Sequence, residues 1–138
     1  MTKQFTFGSN ERLKSRKLIE QLFSKGKRMG LFPYRVFYLL EKEGNLPVKS
    51  KLQCGIGVST RNFKKAVDRN RIKRVTREAW RLQKTALDQK MKDHPQRLLV
   101  FLIYTGKELP AFTVVKEKVA VIIEKLINIA DENIAAGA

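Results

Sequence analysis

The chain has 138 residues, 43% of them hydrophobic, enough for one domain with its own core and too apolar for a disordered polyelectrolyte. Its 29 Lys and Arg against 13 Asp and Glu leave a formal charge of +16, which points to polyanionic partners. A single cysteine, Cys54, excludes an internal disulfide, Cys54 and the lone His94 are too few for a zinc site, and no apolar run approaches a membrane span.

With no secretory apolar segment near the start, the expected location is cytoplasmic. Residues 1–14 read as a polar, basic arm carrying Phe5 and Phe7, with residues 1–10 its flexible part. Ser15 is suited to cap a short helix whose apolar positions are Leu18, Ile19, Leu22 and Phe23, and Gly26 is placed to end it. After Pro33, residues 34–40 (YRVFYLL) are aromatic and β-branched, as in a strand. Phe37 and Tyr38 point to opposite faces of it; one alternate set packs on the core, the other is available for stacking, and the sequence does not choose between them. A further strand is expected either in residues 29–33 or after Leu40, and residues 42–51 read as a turn or hairpin loop. Residues 53–59 (QCGIGVS) alternate like a strand, with Gly55 and Gly57 best explained by packing. A basic helix follows, from an Asp68 cap to about Met91. Residues 93–95 (DHP) break the chain, which makes His94 a solvated loop residue. Residues 98–104 (LLVFLIY) suit a strand covered on both faces beside a parallel neighbour. Thr113 is placed to cap a last helix with its stripe at Val115, Val119, Ile122, Leu126 and Ile129, and residues 131–138 are expected to fray. The succession predicts a single α/β domain over residues 1–138, a two-layer sandwich of about three helices on a small mixed sheet.

Charge is the most unequal property of the chain. Residues 61–84 hold ten Lys and Arg against two acids, half of the net charge, whereas residues 85–138 carry seven of each sign and are neutral. Within that segment Ile72, Val75, Ala79, Leu82 and Ala86 form one helical stripe, and Arg69, Asn70, Lys73, Arg74, Arg77, Arg81 and Lys84 fall opposite it. A solvated helix face normally intersperses acids, but here positions 69, 73 and 77 repel one another, a cost that a bound polyanion relieves. Arginine forks grip phosphates and stack on bases, and Asn70 can bond to a base edge or a sugar hydroxyl. Trp80 lies at the edge of this arc, where core packing and stacking on RNA are both open. Catalytic material is thin by comparison: the phosphate-loop and dinucleotide-loop glycine patterns are missing, the acids are scattered, and no nucleophile has a base beside it, so no catalytic residue is assigned.

Residues 65–81, KAVDRNRIKRVTREAWR, resemble the RNR signature of the bacterial ribonuclease P protein subunit. The resemblance extends to Arg12-Leu13-Lys14, Leu22-Phe23, Lys25-Gly26, the aromatic strand and Gly55-Ile56-Gly57-Val58-Ser59. It implies a ribosomal protein S5 domain 2-like fold with a left-handed βαβ crossover through the basic helix. It also implies an RNA-binding partner of a ribozyme that removes the 5′ leader of precursor tRNA, with phosphodiester hydrolysis performed by the catalytic RNA. No cofactor is then expected on the protein alone, since the holoenzyme's Mg2+ is held mainly by RNA, and no protein partner is expected. By the same resemblance Arg69, Asn70, Arg71, Lys73, Arg74, Arg77 and Arg81 face the catalytic RNA, helped by Arg61, Lys64 and Lys65 in the loop before the helix. Ile19, Phe23, Arg35 and Phe37 would form the leader cleft. Two positions depart from the family pattern: the loop of residues 59–65 is one residue longer and lacks a glycine, and Ile19 stands where an aromatic is common. The alternative function is a ribosome-associated or general RNA-chaperone module with no part in cleavage.

Overall fold

The computed structural model describes residues 11–42 and 51–137, with side chains as far as Glu132. The expected flexible segment of residues 1–10 and most of the expected hairpin loop of residues 42–51 lie outside the described residues. Eight elements follow in the order α1 (Arg16–Lys25), β1 (Lys27–Leu31), β2 (Tyr34–Glu41), β3 (Leu52–Val58), α2 (Ala66–Gln83), α3 (Thr85–Lys92), β4 (Arg97–Tyr104) and α4 (Phe112–Gly137). The four strands form one sheet in the order β1-β2-β4-β3; β2 is antiparallel to β1 and β4, and β3 is parallel to β4. The parallel pair needs a long crossover, which α2 and α3 supply.

Alternation along the strands divides the core in two. Tyr34, Val36, Leu52, Cys54, Leu98, Val100, Leu102 and Tyr104 face α2, α3 and α4, meeting Ile72, Ala79, Trp80, Leu87, Val115, Val119, Ile122 and Leu126. On the other face, Leu99, Phe37, Leu39 and Phe101 meet Leu13, Leu18, Ile19 and Leu22 beneath α1. β4 is therefore covered on both sides, as its unbroken apolar run predicts. The open choice in β2 is resolved: Tyr34 and Val36 belong to the larger core, Phe37 to the α1 side.

Several local expectations are corrected. The additional strand is Lys27–Leu31, a hairpin partner of β2 reached through a Phe32–Pro33 turn with a cis peptide bond. Residues 11–13 are not a loose arm: Leu13 is buried and its N–H donates to the Cys54 carbonyl at 3.0 Å, and Arg12 bridges to Cys54 in parallel fashion. Ser15 does cap α1, its hydroxyl accepting from the Leu18 N–H. Gly26 ends that helix in extended conformation, φ −74°. Its small size is what matters, because a Cβ would lie 2.4 Å from the Leu22 carbonyl oxygen and 2.9 Å from that of Tyr38.

The basic helix begins at Ala66, before Asp68, with Lys65 as a cap that makes no side-chain bond. It is interrupted at Lys84, so that a separate α3 appears and the helices number four. The phase of burial shifts accordingly, with Leu87 and Met91 in the core and Ala86 exposed. His94 is 1% exposed, not solvated: Nε2 donates to the Ala130 carbonyl at 3.0 Å, which fixes the tautomer, and Nδ1 accepts from the Gln96 N–H at 3.0 Å. Thr113 lies inside α4, which starts at Phe112 and runs to Gly137.

Candidate nucleic-acid interface

Trp80 decides which way α2 faces. It is 1% exposed, and with Ile72, Thr76 and Ala79 it forms the buried side; Val75 and Leu82 are only half-buried. Thr76 belongs to that side because its hydroxyl is hydrogen-bonded to the Tyr34 hydroxyl at 2.7 Å. Burial pushes the Tyr34 phenol up to about 12, with Thr76 opposing. Relative to the aliphatic stripe read from sequence, the buried side is rotated by roughly 60° toward Trp80.

That rotation redistributes the basic residues. Asn70, Arg71, Arg74 and Arg77 are exposed and Lys73 is half-buried, and among the described residues no carboxylate lies within ion-pair distance of any of these cations. Arg81 is engaged by Glu78, its Nε 3.0 Å from Oε2. The hydrogen bond to Arg81 holds Glu78 below the ordinary carboxylate range, and the reciprocal bond raises Arg81. Arg69 lies on the buried flank and acts locally, donating from Nη1 to the carbonyls of Phe63 at 2.9 Å and Lys64 at 2.7 Å. Lys84 leaves the arc altogether. It is 1% exposed, donates to Asp88 at 2.6 Å and also pairs with Glu11. Burial alone would lower its pKa, but the bonds to Asp88 and Glu11 outweigh that and raise it.

The loop before α2 is built around Phe63, which is 7% exposed and packs against Tyr104 with ring centroids 6.1 Å apart. Its backbone N–H donates to the Ser59 carbonyl, and Asn62 Nδ2 donates to the carbonyls of Thr105 and Gly106. The extra length of this loop therefore goes into an anchored turn, while Arg61, Lys64 and Lys65 project into solvent.

The second surface is the α1 side of the sheet. Phe23 is 44% exposed and lies 4.8 Å from Phe37 and 5.3 Å from Phe101, centroid to centroid. Register puts Arg28, Phe37, Phe101 and Gly55 in one row across the sheet, and Gly30, Arg35, Ile103 and Gly57 in the next. Gly55 and Gly57 are the floor of this strip, because a Cβ on Gly55 would lie 2.5 Å from the Phe101 ring and one on Gly57 would lie 3.0 Å from it. The structure thus brings Phe23, Phe37 and Arg35 to one aromatic strip with an arginine border, and Ile19 sits half-buried in the apolar cluster beneath α1. Phe101 is the member that the sequence reading missed. Its signal was the alternation inside residues 98–104, read against two glycines in the neighbouring strand. α1 and α2 lie on opposite faces of the sheet, so the aromatic strip and the cationic arc are two surfaces.

Among the described residues no three His, Cys, Asp or Glu side chains gather where they could hold a metal ion. Cys54 is buried, and burial pushes its thiol far up, away from nucleophilic chemistry. Among the described residues no helix is long and apolar enough to cross a membrane.

A small mixed sheet with a cationic helix in its parallel crossover and an aromatic, arginine-bordered strip on its other face has the surface chemistry of the α/β nucleic-acid-binding class, cations for phosphates and rings for bases. The sequence model of the family described as Ribonuclease P matches residues 7–126, and the chain belongs to that family. It is 36% identical over 118 residues to the ribonuclease P protein component of Porphyromonas gingivalis, with 84% of each chain covered. Its fold is also that of the ribonuclease P proteins of Thermotoga maritima (TM-score 0.63, 24% identity, 83% of this chain and 96% of that one) and Staphylococcus aureus (TM-score 0.61, 18% identity, 84% and 94%). As a member of the family it serves tRNA 5′ processing as a subunit of the ribonucleoprotein.

Proposed function

We propose that this chain binds the catalytic RNA of ribonuclease P through the exposed arc of α2 and guides the 5′ leader of precursor tRNA along the strip formed by Phe23, Phe37 and Arg35. The observation that carries the reading is the set of cations Arg71, Lys73, Arg74 and Arg77, held on a helix whose other side is core and lacking an acidic partner among the described residues. A phosphate backbone supplies the missing counter-charge, and release of its condensed ions drives association. The α1 strip presents rings on which unpaired bases stack whatever their sequence, as a variable leader requires. Hydrolysis is assigned to the RNA and its Mg2+ ions, with the protein contributing binding and position, in the cytoplasm. Arg69 contributes by shaping the loop that carries Arg61, Lys64 and Lys65, and Arg81 stands at the edge of the contact with Glu78 beside it.

The test is reconstitution. The full chain, added to a bacterial ribonuclease P RNA at Mg2+ too low for the RNA alone, should restore leader removal, and the chain without RNA should cleave nothing. Cleavage by the protein alone would assign hydrolysis to the chain. Comparable affinity for unrelated structured RNAs with no stimulation of cleavage would indicate a general RNA-binding module instead.

A further inference from the structure

A third surface lies at the end of the sheet where the β1–β2 turn meets the segment between β4 and α4, beside the loop before α2. A cavity of about 600 Å³ opens there, with Phe32, Pro33, Tyr104 and Leu109 among its apolar lining and Lys107 and Lys118 among its charged lining. It is preformed, because three loops are tied together around it. The Thr105 N–H and hydroxyl both donate to the Pro33 carbonyl, at 2.7 and 3.1 Å. The Tyr104 hydroxyl donates to the Glu108 carbonyl at 2.7 Å, and Asn62 links the same segment to the loop before α2. Gly106 permits this fold, since a Cβ there would lie 2.5 Å from the Tyr104 hydroxyl oxygen.

Among the described residues, three of the six exposed large apolar side chains line this place. Phe32 is 76% exposed on the rim, and Leu109 and Val114, both 43% exposed, line the same cavity. A ring left in water beside a preformed pocket marks a contact surface. Its charge indicates the occupant: two lysines against the single Glu108 in the lining, with Arg61 and Lys64 flanking Asn62 in the adjoining loop. An acidic group flanked by a flat apolar one fits this arrangement, and a nucleotide has both.

We propose that this pocket takes one unpaired nucleotide of single-stranded RNA, its base stacked on Phe32 and its phosphate held by Lys107 and Lys118. The nucleotide contacted here is distinct from any held on the Phe23–Phe37 strip. The proposal builds on the reading of the chain as an RNA-binding subunit, but its test needs no cleavage.

The probe is a short oligouridylate carrying one photoreactive 4-thiouridine, bound to the full chain. Crosslinked residues are mapped by mass spectrometry, and affinity is followed by fluorescence anisotropy. A crosslink at Phe32 or in residues 105–111 is expected, with Phe32→Ala weakening binding about tenfold. Lys118→Ala should reduce the salt dependence by about one phosphate contact. Phe32 is exposed enough for its removal to leave folding intact, and amide spectra of the variant check this. Crosslinks confined to Phe23, Phe37 and Phe101, with Phe32→Ala binding unchanged, would overturn the pocket while leaving the proposed function standing. Concentration-dependent dimerisation abolished by Phe32→Ala would also overturn it, assigning the pocket to a second copy of the chain.

Discussion

Arg77 is the residue at which binding and stability should move in opposite directions. It is exposed on α2, with Lys73 one turn before it at i−4 and Arg74 at i−3. Like charges at these spacings cost about 0.2–0.5 kcal/mol per pair at low salt, so the two pairs together strain the free helix by about 0.4–1 kcal/mol. Arg81, at i+4, is left out of the sum because Glu78 already engages it. Arg77→Ala should therefore stabilise the free protein by about half a kcal/mol or slightly more, and the gain should vanish near 1 M salt, where the screening length is about 3 Å. The same change should flatten the plot of log affinity against log salt by about 0.9 and weaken RNA binding a few-fold at moderate salt. Urea unfolding followed by circular dichroism at low and high KCl reads the first effect, and anisotropy titrations of a labelled ribonuclease P RNA at several salt concentrations read the second. A lower urea midpoint for Arg77→Ala at low salt would show that Arg77 is part of the fold. An unchanged salt slope would remove it from the interface. Arg69→Ala is the internal control: it loses two bonds to loop carbonyls and should destabilise by about 1–2 kcal/mol.

Phe23→Ala should cost little stability, because the ring is half exposed, yet weaken precursor tRNA binding about tenfold with mature tRNA unaffected; equal losses for both would make the strip structural. Lys84→Ala leaves Glu11 and Asp88 without their shared buried ammonium and should destabilise by about 3 kcal/mol or more, read as a shift in urea midpoint without a change in RNA salt slope. The pKa values of Tyr34, about 12, and Lys84 are both raised by folding, so the folded chain retains protons that the unfolded chain releases. Stability should therefore hold through neutrality and fall as pH climbs above about 10; a urea midpoint that rises there would contradict both assignments. The buried Cys54 thiol should resist a disulfide reagent at about pH 8 in the folded protein and react at once in urea.

Local chemistry was readable wherever neighbours in sequence decide the outcome. Ser15 caps its helix by reaching three residues along, and residues 98–104 announce a strand buried on both faces. What sequence misplaced depends on distant partners. His94 looked solvated because its own segment is polar, yet the carbonyl it bonds, Ala130, comes from α4. Lys84 looked like one more surface cation, but Glu11, 73 residues away, draws it inside. Gly26 ends its helix where local propensity puts it, but the carbonyl of Tyr38 that leaves no room for a Cβ there comes from β2.

From the chain alone come a basic half and a neutral half, a cationic helix, and the motif that marks the family, because charge and helical period are properties of neighbouring residues. Tertiary structure decided which of those cations reach solvent. Trp80 is too large to leave exposed, and the Tyr34–Thr76 bond holds the same side of α2 inward. Burying that side turns the helix, leaving Arg71, Arg74 and Arg77 outward while Arg69 braces a loop and Lys84 enters an ion-paired interior.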